Sequence, residues 1–156
     1  NRGGSPLTTQ LCLLSVASSS EDNQVLARVF PEKLDLYYGG SLAVEWAPGS
    51  SVLGNADWHH VSFARQGATM ELWVNGTLRA SSTGPTSTPW SSIPANGFYI
   101  GIDQDSVGGG FDAAEVFTGK LSNLRVYNRY IGEGDLKRLG ALQCSAARNS
   151  DDDHAV

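Results

Sequence analysis

Four carboxylates and an amide crowd into one glycine-rich stretch, Phe98 to Gly119, which reads FYIGIDQDSVGGGFDAAEVFTG. They are Asp103, Gln104, Asp105, Asp112 and Glu115, set around a Ser-Val-Gly-Gly-Gly loop and flanked by two short apolar runs. Like charges held a few ångströms apart repel and raise one another's pKa, so such a cluster is costly unless a cation shares it. Calcium takes oxygen ligands from carboxylates, amides and carbonyls in a flexible shell and suits an Asp-x-Asp pair followed by further acids across a glycine loop. Magnesium wants fewer protein ligands in a tighter octahedron, and zinc wants His or Cys, which the stretch lacks. The competing reading is a solvated acidic loop. The number of acids and the glycines between them favour the cation.

Other residues with chemical potential fit a structural role better. His59 and His60 are adjacent, and in a strand they point to opposite faces, where they cannot chelate together. Trp90 lies in the Ser-, Thr- and Pro-rich run from Ser82 to Pro94, where a long surface loop is expected. It could stack on a sugar ring or pin its own loop to the core. The Asp151-Asp152-Asp153-His154 run reads as an acidic tail.

Charge and composition limit the partners. With a formal net charge of -5, a pI near 5.0 and no basic run, the chain offers no face for nucleic acid or an anionic membrane surface, unless a cation bridges. No apolar run reaches the length of a membrane span and no signal peptide opens the chain. Asn1 in place of Met points to a mature product. The two cysteines, Cys12 and Cys144, stand near opposite ends. Paired, they would close most of the domain into one loop, which on the chain-entropy model stabilises by roughly 4–5 kcal/mol. That pairing implies an oxidising compartment, and two buried free thiols imply a reducing one. The sequon Asn75-Gly76-Thr77 leans toward the first.

The elements that must position these groups are short. Leu11 to Val16 is an apolar run, followed by a polar turn from Ser18 to Asn23 and an alternating run from Gln24 to Phe30. Gly39-Gly40 and Asn75-Gly76 sit at hairpin spacing: the first joins Lys33–Tyr38 to Ser41–Trp46, the second joins Met70–Val74 to Thr77–Ser81. Leu34, Leu36 and Tyr38 are expected on one face, and Leu42, Val44 and Trp46 likewise. Trp58–Arg65 and Leu121–Tyr130 are expected as further strands, and Glu133–Leu142 as the one helix. About nine strands with Gly/Pro turns and one late helix predict an all-β antiparallel sandwich of jelly-roll type, one domain over 1–148 with a tail over 149–156.

On these residues the chain resembles the pentraxins. IGIDQDSVGGGFDAAEVFTGKLSNLRVYN is similar to their calcium-loop segment, and WHHVSFARQGATMELWVNGTLR to the matching hairpin of pentraxin and laminin-G-like domains. LLSVASSSEDNQVLARVF resembles the strand-turn-strand that supplies the remaining ligands. The resemblance implies metal ligands at Asp22 and Asn23, where the family places an acid and an amide on the facing loop. Asp103 stands where it uses a glutamate, Gln104 where a backbone carbonyl ligates, and Asp105 where an aspartate bridges two calcium ions. Asp112 and Glu115 stand where it has a glutamate and a glutamine. Aspartate for glutamate at 103 and 112 shortens the reach, which bears on the affinity of the second ion. His60-Val61-Ser62-Phe63 lacks the family's second cysteine. A Cys12–Cys144 bridge would be a substitute closer to the laminin-G habit of tying in the chain end. The opening strands and the return strand after the late helix are also missing, which leaves sheet edges for a neighbouring chain or a further segment to complete.

The function so implied is an extracellular calcium-binding recognition module that holds a glycan, phosphate or carboxylate ligand at calcium's open positions. The alternative is a structural or adhesive building block in which calcium only stiffens loops, with glycan on Asn75 and another protein chain, or further copies of itself, as partner. Catalysis is not expected. Glucanases share the architecture, but retaining hydrolysis needs two carboxylates roughly 5 Å apart on the concave sheet, and Asp103-Gln104-Asp105 in a glycine loop does not supply their strand motif.

Overall fold

Two antiparallel sheets grow from short apolar and alternating runs. The computed structural model describes residues 10–18, 21–49, 58–85 and 93–141, with only the backbone of 21–23. The first sheet contains β1 (Leu11–Ser18), β2 (Glu21–Val29), β3 (Leu34–Tyr38), β4 (Ser41–Trp46) and, after a long excursion, β8 (Phe98–Ile100), in the order β4-β3-β2-β1-β8. The second contains β5 (Val61–Gln66), β6 (Thr69–Val74) and β7 (Thr77–Thr83) in sequence order. A helix, α1, follows over 133–141. This is the expected all-β sandwich of jelly-roll type with a short C-terminal helix.

The core lies between the sheets. Val25, Ala27 and Val29 of β2 and Leu34, Leu36 and Tyr38 of β3 alternate onto the inner face, joined by Leu11 and Val16, and meet Met70, Leu72 and Val74 of β6. At the rim, the hydroxyl of Ser82 on β7 donates to the carbonyl of Ala43 on β4, tying the sheets together. Leu34 and Leu72 are fully buried.

The turns form as their glycines dictate. Gly39 and Gly40 take φ of 62° and 72°, and Asn75 and Gly76 take 52° and 73°, the positive pair that a two-residue hairpin matched to strand twist requires. The β6–β7 turn also abuts the helix. A Cβ built at Gly140 would collide with the backbone of Asn75 and Gly76, and one at Gly76 would lie 2.7 Å from the Lys137 carbonyl oxygen.

Three expectations are corrected. Leu42 does not share a face with Val44: Leu36 pairs with Val44 but Tyr37 pairs with Leu42, so Ala43 is an extra residue in β4. The bulge reverses the alternation, burying Ala43 (4% exposed) and turning Leu42 outward (49%). The polar turn expected from Ser18 to Asn23 is narrower, because β1 runs through Ser18, β2 starts at Glu21, and these two residues pair. Finally, the alternation of Leu121 to Tyr130 predicts a strand, but the segment belongs to neither sheet. Asn123 takes φ 57°, which breaks the extended run, and its side-chain oxygen accepts from Arg125 Nε at 3.0 Å.

Leu121, Leu124 and Val126 consequently stand about half exposed. Leu124→Glu should therefore change the free energy of unfolding by no more than about 0.5 kcal/mol in a urea titration, as for surface substitutions generally. A loss above about 1.5 kcal/mol would mean the segment is covered in solution, since that is the scale of a buried leucine.

Candidate functional site

The acidic loop is hung from the edge of the first sheet. β8 pairs with β1 through Val16–Phe98, Ser15–Tyr99 and Leu14–Ile100. Beyond Ile100 the chain turns at Gly101 (φ 78°) and lays Asp103 and Gln104 against Ser15, on the face opposite the core residue Val16. Gln104 is fully buried, and its side chain is consumed in holding the loop. Its amide nitrogen Nε2 donates to the Gly97 carbonyl at 3.0 Å and the Ser15 carbonyl at 3.4 Å, while Oε1 accepts from Gly108 N at 3.0 Å. What Gln104 could offer an ion is therefore its main-chain carbonyl.

The loop tip is a tight bridge between Ser106 and Gly109. Gly110 follows at φ 69°, and a Cβ there would lie 2.8 Å from the Asp105 Cβ, so the chain closes tightly round that residue. Phe111 then meets Tyr99 edge to face at 4.9 Å. Asp112 caps the 3₁₀ turn Ala113–Glu115, its Oδ1 accepting from Ala114 N at 2.8 Å. Glu115, at the end of that turn, accepts from Gln10 Nε2 at 2.8 Å.

Electrostatics show how closely the acids press. Burial pushes the Asp103 carboxyl up, hydrogen bonds from Gln104 N and Ser15 offset part of this, and the Asp105 charge adds to it. Glu115 is pushed up by burial first, then by the charges of Asp103, Asp105 and Asp112. The donors are all oxygen, as a calcium shell requires. Yet among the described residues no three of the Asp, Glu, His and Cys side chains converge closely enough to hold a metal ion as they stand. The fold brings Asp103, Asp105 and Asp112 within repulsive reach of Glu115, and Asp105 within reach of Asp103. Asp22 and Asn23 occupy the start of β2, and their side chains lie outside the described residues, as do Trp90, Cys144 and the 149–156 tail.

Cys12 lies close by. It is fully buried and bridged to no described residue, and burial raises its thiol pKa strongly, with the Asp103 charge adding to the rise. Asn75 of the sequon is exposed, its Oδ1 accepting from His60 N at 2.9 Å and its Nδ2 resting 3.2 Å from His59 Nδ1.

His60 precedes β5, and burial, followed by the Arg125 charge, lowers its pKa from 6.5. The unfolded chain therefore takes up the proton first. His60 contributes stability above about pH 6.5 that is lost as pH falls toward its folded value. The melting temperature should drop between pH 7 and pH 5 more steeply in the wild type than in His60→Gln. Parallel slopes would show that His60 titrates equally in both states.

Three residues at the site escaped the sequence reading: Gln10, Arg28 and Asp35. Arg28 on β2 faces Asp35 on β3 in register, and its guanidinium grips the carboxylate with Nε–Oδ1 at 2.8 Å and Nη2–Oδ2 at 2.9 Å. Lys33 adds a contact to Asp35 at 3.2 Å and one to Glu45 at 2.7 Å. Arg28 Nη1 also donates to Gln10 Oε1 at 3.2 Å. The available signal was the pair of charged residues at matching positions of adjacent alternating strands.

Comparison with known proteins agrees with this fold. Residues 6–137 match the family described as the concanavalin A-like lectin/glucanases superfamily. Human pentraxin-4 is 29% identical over 132 residues, covering 81% of this chain and 27% of its own length. Human neuronal pentraxin-1 is 30% identical over 98 residues, covering 61% of this chain and 22% of its own length. The chain thus spans about a quarter of the length of these relatives. The native heptameric SAP-like pentraxin of Limulus polyphemus overlays with a TM-score of 0.68 at 23% identity, covering 86% of this chain and 64% of that one, a likeness of fold.

Proposed function

This chain belongs to the concanavalin A-like lectin/glucanases superfamily, with pentraxin relatives, and from that premise we propose that it is an extracellular calcium-binding recognition module. The observation that supports this reading is the acidic loop itself, in which Asp103 and Glu115 are pushed toward their neutral forms by burial first and by neighbouring acids after it. Asp103, Asp105, Asp112 and Glu115, with the Gln104 carbonyl and Asp22 and Asn23 from β2, would hold the ion. Bound calcium would supply positive charge with open coordination positions, suited to the oxygens of a phosphate, a carboxylate or sugar hydroxyls.

This chain's own residues contribute the frame. Gln104 pins the loop to Ser15 of β1, Asp112 fixes the turn that carries Glu115, and Gly110 lets the chain pass close to Asp105. Bound calcium would offset the repulsion that Asp103, Asp105 and Asp112 exert on Glu115. The pairing of Cys12 with Cys144 and a glycan on Asn75 belong to the same reading, as does assembly into a homo-oligomer.

The test is a calorimetric calcium titration, with melts in calcium and in chelator, on the wild type and on Asp105→Ala. Saturable binding, a higher melting temperature in calcium and loss of both in the variant are expected. No heat and no shift in the wild type would sink the reading. The second reading, a structural or adhesive building block, is favoured by the exposed Leu121, Leu124 and Val126. It would gain if calcium raised the melting temperature while anionic and glycan ligands failed to bind.

A further inference from the structure

We propose that Gln10 and Arg28 are positioning residues for the calcium loop, holding Glu115 in place through a line of hydrogen bonds anchored on the buried carboxylate of Asp35. This rests on the calcium reading above. It goes beyond the ligand set, because neither residue offers an oxygen to the ion in this role.

The line runs in one direction. Asp35 is fully buried, and the two-point grip of Arg28 on it, at 2.8 and 2.9 Å, leaves the guanidinium little freedom to turn. The remaining Nη1 group donates to Gln10 Oε1 at 3.2 Å. A guanidinium can only donate, so the Gln10 amide must turn its oxygen to Arg28 and its nitrogen the other way. That nitrogen, Nε2, donates to Glu115 Oε1 at 2.8 Å. Each step fixes the next, from the middle of the first sheet out to the loop.

Glu115 needs such a tie. It is the last residue of a three-residue turn, and Asp103, Asp105 and Asp112 all repel it. Untethered, the carboxylate would swing away from the other acids, and an ion would have to bring it back at the cost of side-chain entropy. Held by one oxygen, it keeps the second for the ion. The intervening amide also matters chemically. A guanidinium in direct contact would put a full positive charge against the site and compete with calcium, whereas the intervening amide sets that charge back, so that it lowers the Glu115 pKa less than burial and the three acids raise it. The arrangement is the oxygen-ligand counterpart of the outer hydrogen bonds that aim metal ligands.

Calcium titrations on the full chain test this with Gln10→Ala, Glu115→Ala and the double variant. Gln10→Ala should bind calcium roughly 10-fold more weakly, within the range for losing such an outer partner, while its melting temperature in chelator stays at the wild-type value. In the Glu115→Ala background the same substitution should have no further effect, since the two residues act as one unit. The side-chain amide resonances of Gln10 should also shift when calcium is added to the wild type. Equal affinities for wild type and Gln10→Ala would overturn the proposal while leaving the calcium reading intact. So would an equal loss in both backgrounds. A wild type that binds no calcium would overturn both, an outcome distinguishable from the other two.

Discussion

Arg28→Met should lower the unfolding free energy by about 3–5 kcal/mol, the scale for removing one partner of a buried ion pair. At about 2–4 °C per kcal/mol for a domain of this size, the melting temperature should fall by roughly 10 °C. Asp35 is fully buried, and with Arg28 removed its carboxylate keeps only Lys33, at 3.2 Å, among the described residues. A charge taken out of water and left half-paired is among the few single changes that cost this much. The loss would come from stranding Asp35, since a paired and an apolar interior can be nearly equal in stability. Arg28→Met with Asp35→Leu should therefore recover most of the stability. If the double variant melts as low as the single one, the destabilisation comes instead from losing the guanidinium's contact with Phe30 and Tyr37, whose ring centroids lie 5.0 and 4.5 Å from its carbon.

Gly140→Ala is expected to destabilise the protein by about 1–3 kcal/mol, the range for forcing extra atoms into a packed contact. This reverses the usual sign. Alanine in a helix interior is favoured over glycine by about 1 kcal/mol. Here, however, the new methyl group would meet the main chain of Asn75 and Gly76, which cannot rotate aside as a side chain can. Gly134→Ala in the same helix is the control, because nothing lies within 4 Å of a Cβ built there. It should be neutral or mildly stabilising. Equal melts for the two variants would mean that the helix does not rest on the β6–β7 turn in solution.

Much of this could be foreseen because it is local. Alternation along β2 and β3 follows from the two-residue period of a strand. The Asn75-Gly76 turn follows from the positive φ that asparagine and glycine tolerate. The gathering of Asp103, Asp105, Asp112 and Glu115 was likewise visible, since twelve positions and a glycine loop separate the first from the last. The failures share a different cause. Leu42 and Leu121–Tyr130 carry the right pattern for a strand face, but a pattern says nothing of a one-residue bulge or of whether a partner strand is within reach. Gln10 and Glu115 are 105 residues apart, and no spacing rule joins them.

The amino-acid sequence by itself determined the class of fold, the hairpins and the acidic, all-oxygen character of the loop, because each depends on side-chain type and near neighbours. The tertiary structure alone decided which oxygens face one another. It spent the Gln104 amide on the carbonyls of Gly97 and Ser15, set Asp35 beside Arg28, and brought Asp103, Asp105 and Asp112 close enough to repel Glu115. These are matters of register between strands distant in the chain. A one-residue shift in that register exchanges the buried face for the exposed one.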